Sequence, residues 1–76
     1  MNCLSLIRLN AGDHGKVEKI LAGSAATKRL YEMGFNTGAR IKVLKNDSGP
    51  IIVCLGNNKI ALGRGLAEKM LINIEH

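Results

Sequence analysis

The stretch RLYEMGFNTGARIKVL, running from Arg29 to Leu44, changes grammar in its middle. With Ala26 just ahead of it, Leu30 and Met33 fall at i, i+4 and i+7, one face of a helix. From Arg40 onward Ile41 and Val43 alternate with Arg40 and Lys42, the mark of a half-buried strand. Gly34 and Gly38 stand between the two halves. Glycine enters the left-handed region without steric cost, so Gly34 suits the position just past a helix C-terminus and Gly38 the turn that opens the strand. Both are read as structural turn residues. A helix over about 24–33 that hands on to a strand over 40–45 within so few residues belongs to a small, strongly curved barrel.

Upstream of this join, Leu4, Leu6, Ile7 and Leu9 form an apolar lead-in that stops at the turn signal Asn10-Ala11-Gly12-Asp13. Gly15 to Leu21 alternates imperfectly, which predicts a bulged or bent strand. Ser24, after Gly23, is the expected N-cap of the helix. Downstream, Asn46-Asp47-Ser48-Gly49-Pro50 is a dense turn signal, and Ile51 to Leu55 is the next strand. Gly56-Asn57-Asn58 is a tight connection into a strand over 59–62. Gly63-Arg64-Gly65 interrupts, residues 66–69 form one helical turn, and Met70, Ile72 and Ile74 alternate in a last strand. The expectation is mainly β: a five-stranded barrel with one inserted α-helix and a short helical turn.

A chain of 76 residues is one domain, 1–76, and buries only roughly 60% of its unfolded surface. Hydrophobic residues are 46% of it, and its only aromatics are Tyr31 and Phe35, so aliphatic side chains fill the core. Little interior remains for a deep pocket of about 300 Å³ or more, which favours a binding module over an enzyme. Cys3 and Cys54 form no CxxC pair, and no signal peptide precedes them. They read as free thiols of a cytoplasmic chain, Cys54 packed within an apolar strand and Cys3 exposed. No apolar run reaches the roughly 18 residues of a membrane span. The net charge of +5 comes from Lys and Arg spread along the whole chain. With no aromatic run for stacking bases, this reads as a solvated surface, and no nucleic-acid partner is expected.

No catalytic residue, metal site or cofactor is predicted. Ferrous iron calls for clustered His and carboxylate ligands, whereas His14, Asp13, Glu18, Glu32, Asp47, Glu68 and Glu75 are scattered and His76 is a frayed terminus. Asp13 beside His14 is the one neighbouring pair, read as an exposed turn. Ser48, Ser24 and Thr27 have no His at hand in sequence, and Gly63-Arg64-Gly65 lacks the GxxxxGK[ST] phosphate loop. Contact with a partner protein remains. Ile51 to Leu55 is apolar on both faces, so Ile52 and Cys54 point away from Ile51, Val53 and Leu55 and need cover, which the helix is expected to supply. A groove between helix and barrel, edged by Lys28, Arg29, Tyr31 and Phe35, is the candidate partner-binding surface.

Taken in order, Leu9-Asn10-Ala11-Gly12, Val17, Ile20, Arg29-Leu30, Met33-Gly34-Phe35, Gly38, Ile41 and Val43 resemble the ferrous-iron transport protein A family, FeoA. The resemblance continues through Gly49-Pro50-Ile51-Ile52-Val53, Ile60-Ala61-Leu62, Ala67 and Ile72-Asn73-Ile74, nearly the whole chain. Ala11 and Thr37 stand where the family often has proline, at a cost in turn rigidity. The resemblance implies an SH3-like barrel in the cytoplasm that assists the membrane GTPase FeoB in ferrous iron uptake. A similar domain forms the C-terminal part of repressors of the diphtheria-toxin-repressor type. The start at Met1 and the end just past the last strand fit a free-standing accessory better than a repressor tail. Two other readings stand beside it: a detached sensor module that binds peptide or metal, and a small basic nucleic-acid-binding barrel.

Overall fold

The computed structural model describes residues 3–75; the reading of His76 as a frayed terminus lies outside them. The chain runs β1 (Cys3–Ser5), a 3₁₀ turn (Leu6–Arg8), β2 (His14–Ile20), α1 (Ser24–Glu32), β3 (Arg40–Lys45), β4 (Ile51–Leu55), β5 (Asn58–Leu62), α2 (Arg64–Ala67) and β6 (Met70–Glu75). All pairings are antiparallel, in the order β1-β6-β2-β3-β4-β5. The five expected strands and the inserted helix are present. The lead-in adds a sixth, short strand at the sheet edge before it turns at Leu6. The second helix begins at Arg64, two residues earlier than expected, because Gly63 takes an extended conformation and serves as its N-cap.

Strand β2 lies at the centre and shows the expected irregularity. Its pairing with β6 slips between Val17 and Lys19, leaving Glu18 as the extra residue of a bulge. Gly15 sits where β2 and β6 come closest. A Cβ there would lie deep inside the van der Waals radius of the Asn73 carbonyl oxygen and 2.9 Å from Ile72 Cγ2. The crossing of the two strands therefore depends on a residue with no side chain.

Both ends of the β2–β3 pairing are built alike. At one end Ala39 N–H donates to Asn36 O at 2.9 Å with Gly38 at φ +90°, the signature of a type II turn. At the other, Asp13 N–H donates to Asn10 O at 2.9 Å with Gly12 at φ +97°. Each turn runs into a bulge with two residues opposite one. Gly38 N–H donates to Val17 O while Val17 N–H donates to Ala39 O; Gly12 N–H donates to Val43 O while Val43 N–H donates to Asp13 O. Gly38 is thus the turn residue that was expected.

The core is aliphatic apart from Phe35 and Met70. Val17, Ile41, Val43, Ile51, Val53 and Ile72 project inward from the strands and meet Leu6 and Leu9 from the lead-in, Leu30 from α1 and Ala67 from α2. A polar lock ties three separate segments. Asn46 Nδ2 donates to Ile7 O at 2.9 Å and Leu9 O at 2.6 Å, while Arg64 Nη1 donates to Asn46 Oδ1 at 2.9 Å and Asp47 O at 2.7 Å. Two substitutions test these supports by chemical denaturation. Gly15→Ala is expected to cost about 3 kcal/mol or more, since the clash is largely with backbone. Asn46→Ala is expected to cost about 1–3 kcal/mol by leaving part-buried partners unpaired.

Candidate functional site

Helix α1 carries the residues expected to meet a partner, and its ends decide where they point. Gly23 is the N-cap, in extended conformation, and Ser24 is already the first helical residue with no capping side-chain bond. The correction is one position: Thr27 N–H donates to Gly23 O at 2.9 Å, and the Thr27 hydroxyl reaches back to Ala22 O at 3.1 Å. At the C-terminus Gly34, with φ +106°, donates its N–H to Tyr31 O at 3.0 Å, and Phe35 donates to Leu30 O at 3.0 Å. This pair of bonds is a Schellman motif, in which the second residue past the helix folds back onto its last turn.

That motif corrects the expectation for Phe35. The fold-back drives its ring against Leu30, and both side chains are wholly buried in the core. Phe35 lines no groove edge. Lys28, Arg29 and Tyr31 are exposed on α1, with Tyr31 44% accessible. Leu21, just before the helix, is 54% accessible. Of the four residues proposed from sequence, three share the exposed side of α1 and the fourth holds that helix down.

The helix does not cover Ile52 and Cys54. Leu30 and Phe35 join Ile51 and Val53 in the core, and a Cβ on Gly34 would lie 3.0 Å from Leu55 Cδ2, so α1 packs on the inward side of β4. Ile52 and Cys54 occupy the outer face, half-buried. Cross-strand partners share a face, so Cys54 lies between Lys42 on β3 and Lys59 on β5, whose aliphatic stems flank it. The Cys54 thiol donates to Gly56 O at 3.2 Å. It is therefore not the packed core thiol that the apolar run suggested, and Cys3 is half-buried where exposure was expected. Both cysteines are free.

Around Cys54 an open cleft of about 470 Å³ is lined by His14, Arg40, Ile41, Lys42, Gly56 and Glu75. Sequence reading missed this grouping, because four strands contribute to it and only the register brings them together. His14 stands opposite both Glu75 and Lys42, and Lys42 opposite Cys54. Among the described residues no three His, Cys, Asp or Glu side chains are grouped so as to hold a metal ion, and no helix is long and apolar enough to cross a membrane.

With this geometry in place, the chain matches the FeoA domain family over residues 4–74. It belongs to the FeoA family. A protein of Methanocaldococcus jannaschii provisionally named Fe(2+) transport protein A is 44% identical over 61 residues, covering 80% of this chain and 74% of that protein. The crystal structure of an iron uptake regulatory protein, FeoA, is 36% identical and superposes with a TM-score of 0.90 over 99% of this chain and all of its own. A manganese-dependent transcriptional repressor, 22% identical, shares the fold with a TM-score of 0.88 over 96% of this chain and 42% of its own length. Both likenesses drawn from the sequence, to FeoA proteins and to repressor domains, are thus found.

The opposite placements of Phe35 and Tyr31 can be separated by substitution. Phe35→Ala is expected to cost about 3–5 kcal/mol in chemical denaturation. Lys28→Ala, Arg29→Ala and Tyr31→Ala are each expected to change stability by about 0.5 kcal/mol or less.

Proposed function

We propose that this FeoA-family chain is a non-enzymatic accessory of ferrous iron uptake, acting in the cytoplasm by contact with the cytosolic part of the membrane GTPase FeoB. The observation that carries the reading is the family match along almost the full described length, on a fold shared with FeoA structures. The exposed side of α1 supports a protein-contact role. Tyr31 offers an amphipathic ring of the kind enriched at protein interfaces, Leu21 adds apolar area nearby in the chain, and Lys28 and Arg29 add charge for steering. Phe35 supports this surface from beneath by fixing the end of the helix.

The test is an NMR titration of the labelled chain with the cytosolic domain of FeoB, with and without guanine nucleotide. Shifts are expected at Lys28, Arg29 and Tyr31, and Arg29→Glu is expected to weaken binding about tenfold with the fold unchanged. Absence of any shift at near-millimolar partner would overturn the proposal.

A further inference from the structure

The outer face of the sheet carries a charge distribution that the helix surface does not explain. One row of cross-strand neighbours runs Glu75, His14, Lys42, Cys54 and Lys59 across β6, β2, β3, β4 and β5. The next row places Asn73, Lys16 and Arg40 side by side. Within these two rows Lys16, Arg40, Lys42 and Lys59 face a single carboxylate, Glu75. Among the described residues Glu75 makes one ion pair, with Lys16 Nζ at 3.9 Å, which is long and part-exposed and leaves the other three cations free of it. The chain thus gathers on one face, around a cleft, positive charge that looks dispersed along the sequence.

The shape of the patch says what fits. Arg40 and Lys42 are alternate residues of one strand, so they project from the same face about 7 Å apart along β3. Carboxylates on alternate residues of an extended peptide repeat at that same spacing. The half-buried Cys54 and the stems of Lys42 and Lys59 offer apolar contact between the charges. A small anion would use one or two of these cations, whereas the row continues across several strands. A nucleic acid would want a run of stacking surfaces, whereas Phe35 lies in the core and Tyr31 on α1, which leaves His14 as the one aromatic ring at the cleft.

We infer that the cleft between His14, Arg40, Lys42, Cys54 and Gly56 is a docking site for an extended, carboxylate-rich segment of a partner protein. The site is separate from the exposed side of α1, since the two lie on opposite faces of β4. That the partner is the transporter rests on the function proposed above. The chemistry of the site does not.

The experiment titrates the labelled full chain with an acidic peptide of alternating Glu and Ser, with a single-stranded oligonucleotide of equal charge, and with the FeoB cytosolic domain. Each titration uses the natural sequence, Lys42→Glu and Lys69→Glu. Lys69 is exposed just before β6, at the end of that strand opposite Glu75, so the last variant makes the same charge change away from both candidate surfaces and separates a local contact from the effect of net charge. Peptide shifts are expected at His14, Arg40, Lys42, Cys54 and Gly56, with affinity about tenfold lower in Lys42→Glu and little changed in Lys69→Glu. Equal weakening by the two variants, shifts spread evenly over the surface, or tighter binding of the oligonucleotide would each overturn the inference. If the peptide behaves as expected but the transporter domain binds the natural chain and Lys42→Glu equally well, the transporter is overturned as the partner of this site, while the acidic-segment site and the accessory function stand. If that domain does not bind at all but the peptide behaves as expected, the accessory reading fails and the acidic-segment site stands.

Discussion

The close crossing of β2 and β6 at Gly15 is the constraint around which the barrel is organised. Strand β2 is the one strand that links the two halves of the sheet, pairing with β6 on one side and β3 on the other, and Gly15 belongs to both ladders. Because residue 15 carries no side chain, the β6 backbone can approach it, and the sheet can bend sharply enough to wrap a core of small aliphatic residues. The bulge at Glu18 adds to the same bend. A chain of this size has no second core to fall back on, so much of its stability hangs on this one approach.

The bend also sets the geometry of the two candidate surfaces. It turns β3 so that Ile41 and Val43 point inward while Arg40 and Lys42 point out beside His14 and Cys54. On the inner side, α1 is fixed by its Schellman end and by Phe35, leaving Lys28, Arg29 and Tyr31 free for contact. The FeoA fold thus offers two chemically different surfaces on opposite sides of β4. One is a helix flank with an aromatic ring and two cations, the other a row of cations around a half-buried thiol.

How much of this was legible in the sequence depended on whether a signal was local. The strand over 40–45 could be read because one face of it is wet, so polarity alternates from Arg40 to Val43, before the register shifts at Leu44. Gly34 and Gly38 could be read because their conformations are set by immediate neighbours. Phe35 was misplaced because a fold-back onto Leu30 hides a residue that, on spacing alone, merely follows a helix. Cys54 was misplaced because β4 is apolar at every position and has no alternation to show which face is inner. The cleft was invisible, since His14, Lys42, Cys54 and Glu75 are joined only by register. The requirement at Gly15 was equally hidden, arising from a strand 58 positions further on.

The lock formed by Asn46 and Arg64 bears on how the molecule comes apart. Its hydrogen bonds span 17 to 39 positions of chain, so each waits for two distant segments to meet, and the complete lock for the lead-in, the β3–β4 turn and α2 together. Contacts that depend on such long loop closures are rewarded late in folding. Interactions made after the rate-limiting step do little to speed folding and act mainly by slowing escape from the native state. In a domain this small, where little surface is buried to hold the fold, this lock is expected to lengthen the lifetime of the folded form, and with it the time for which the helix flank and the outer-face cleft stay assembled.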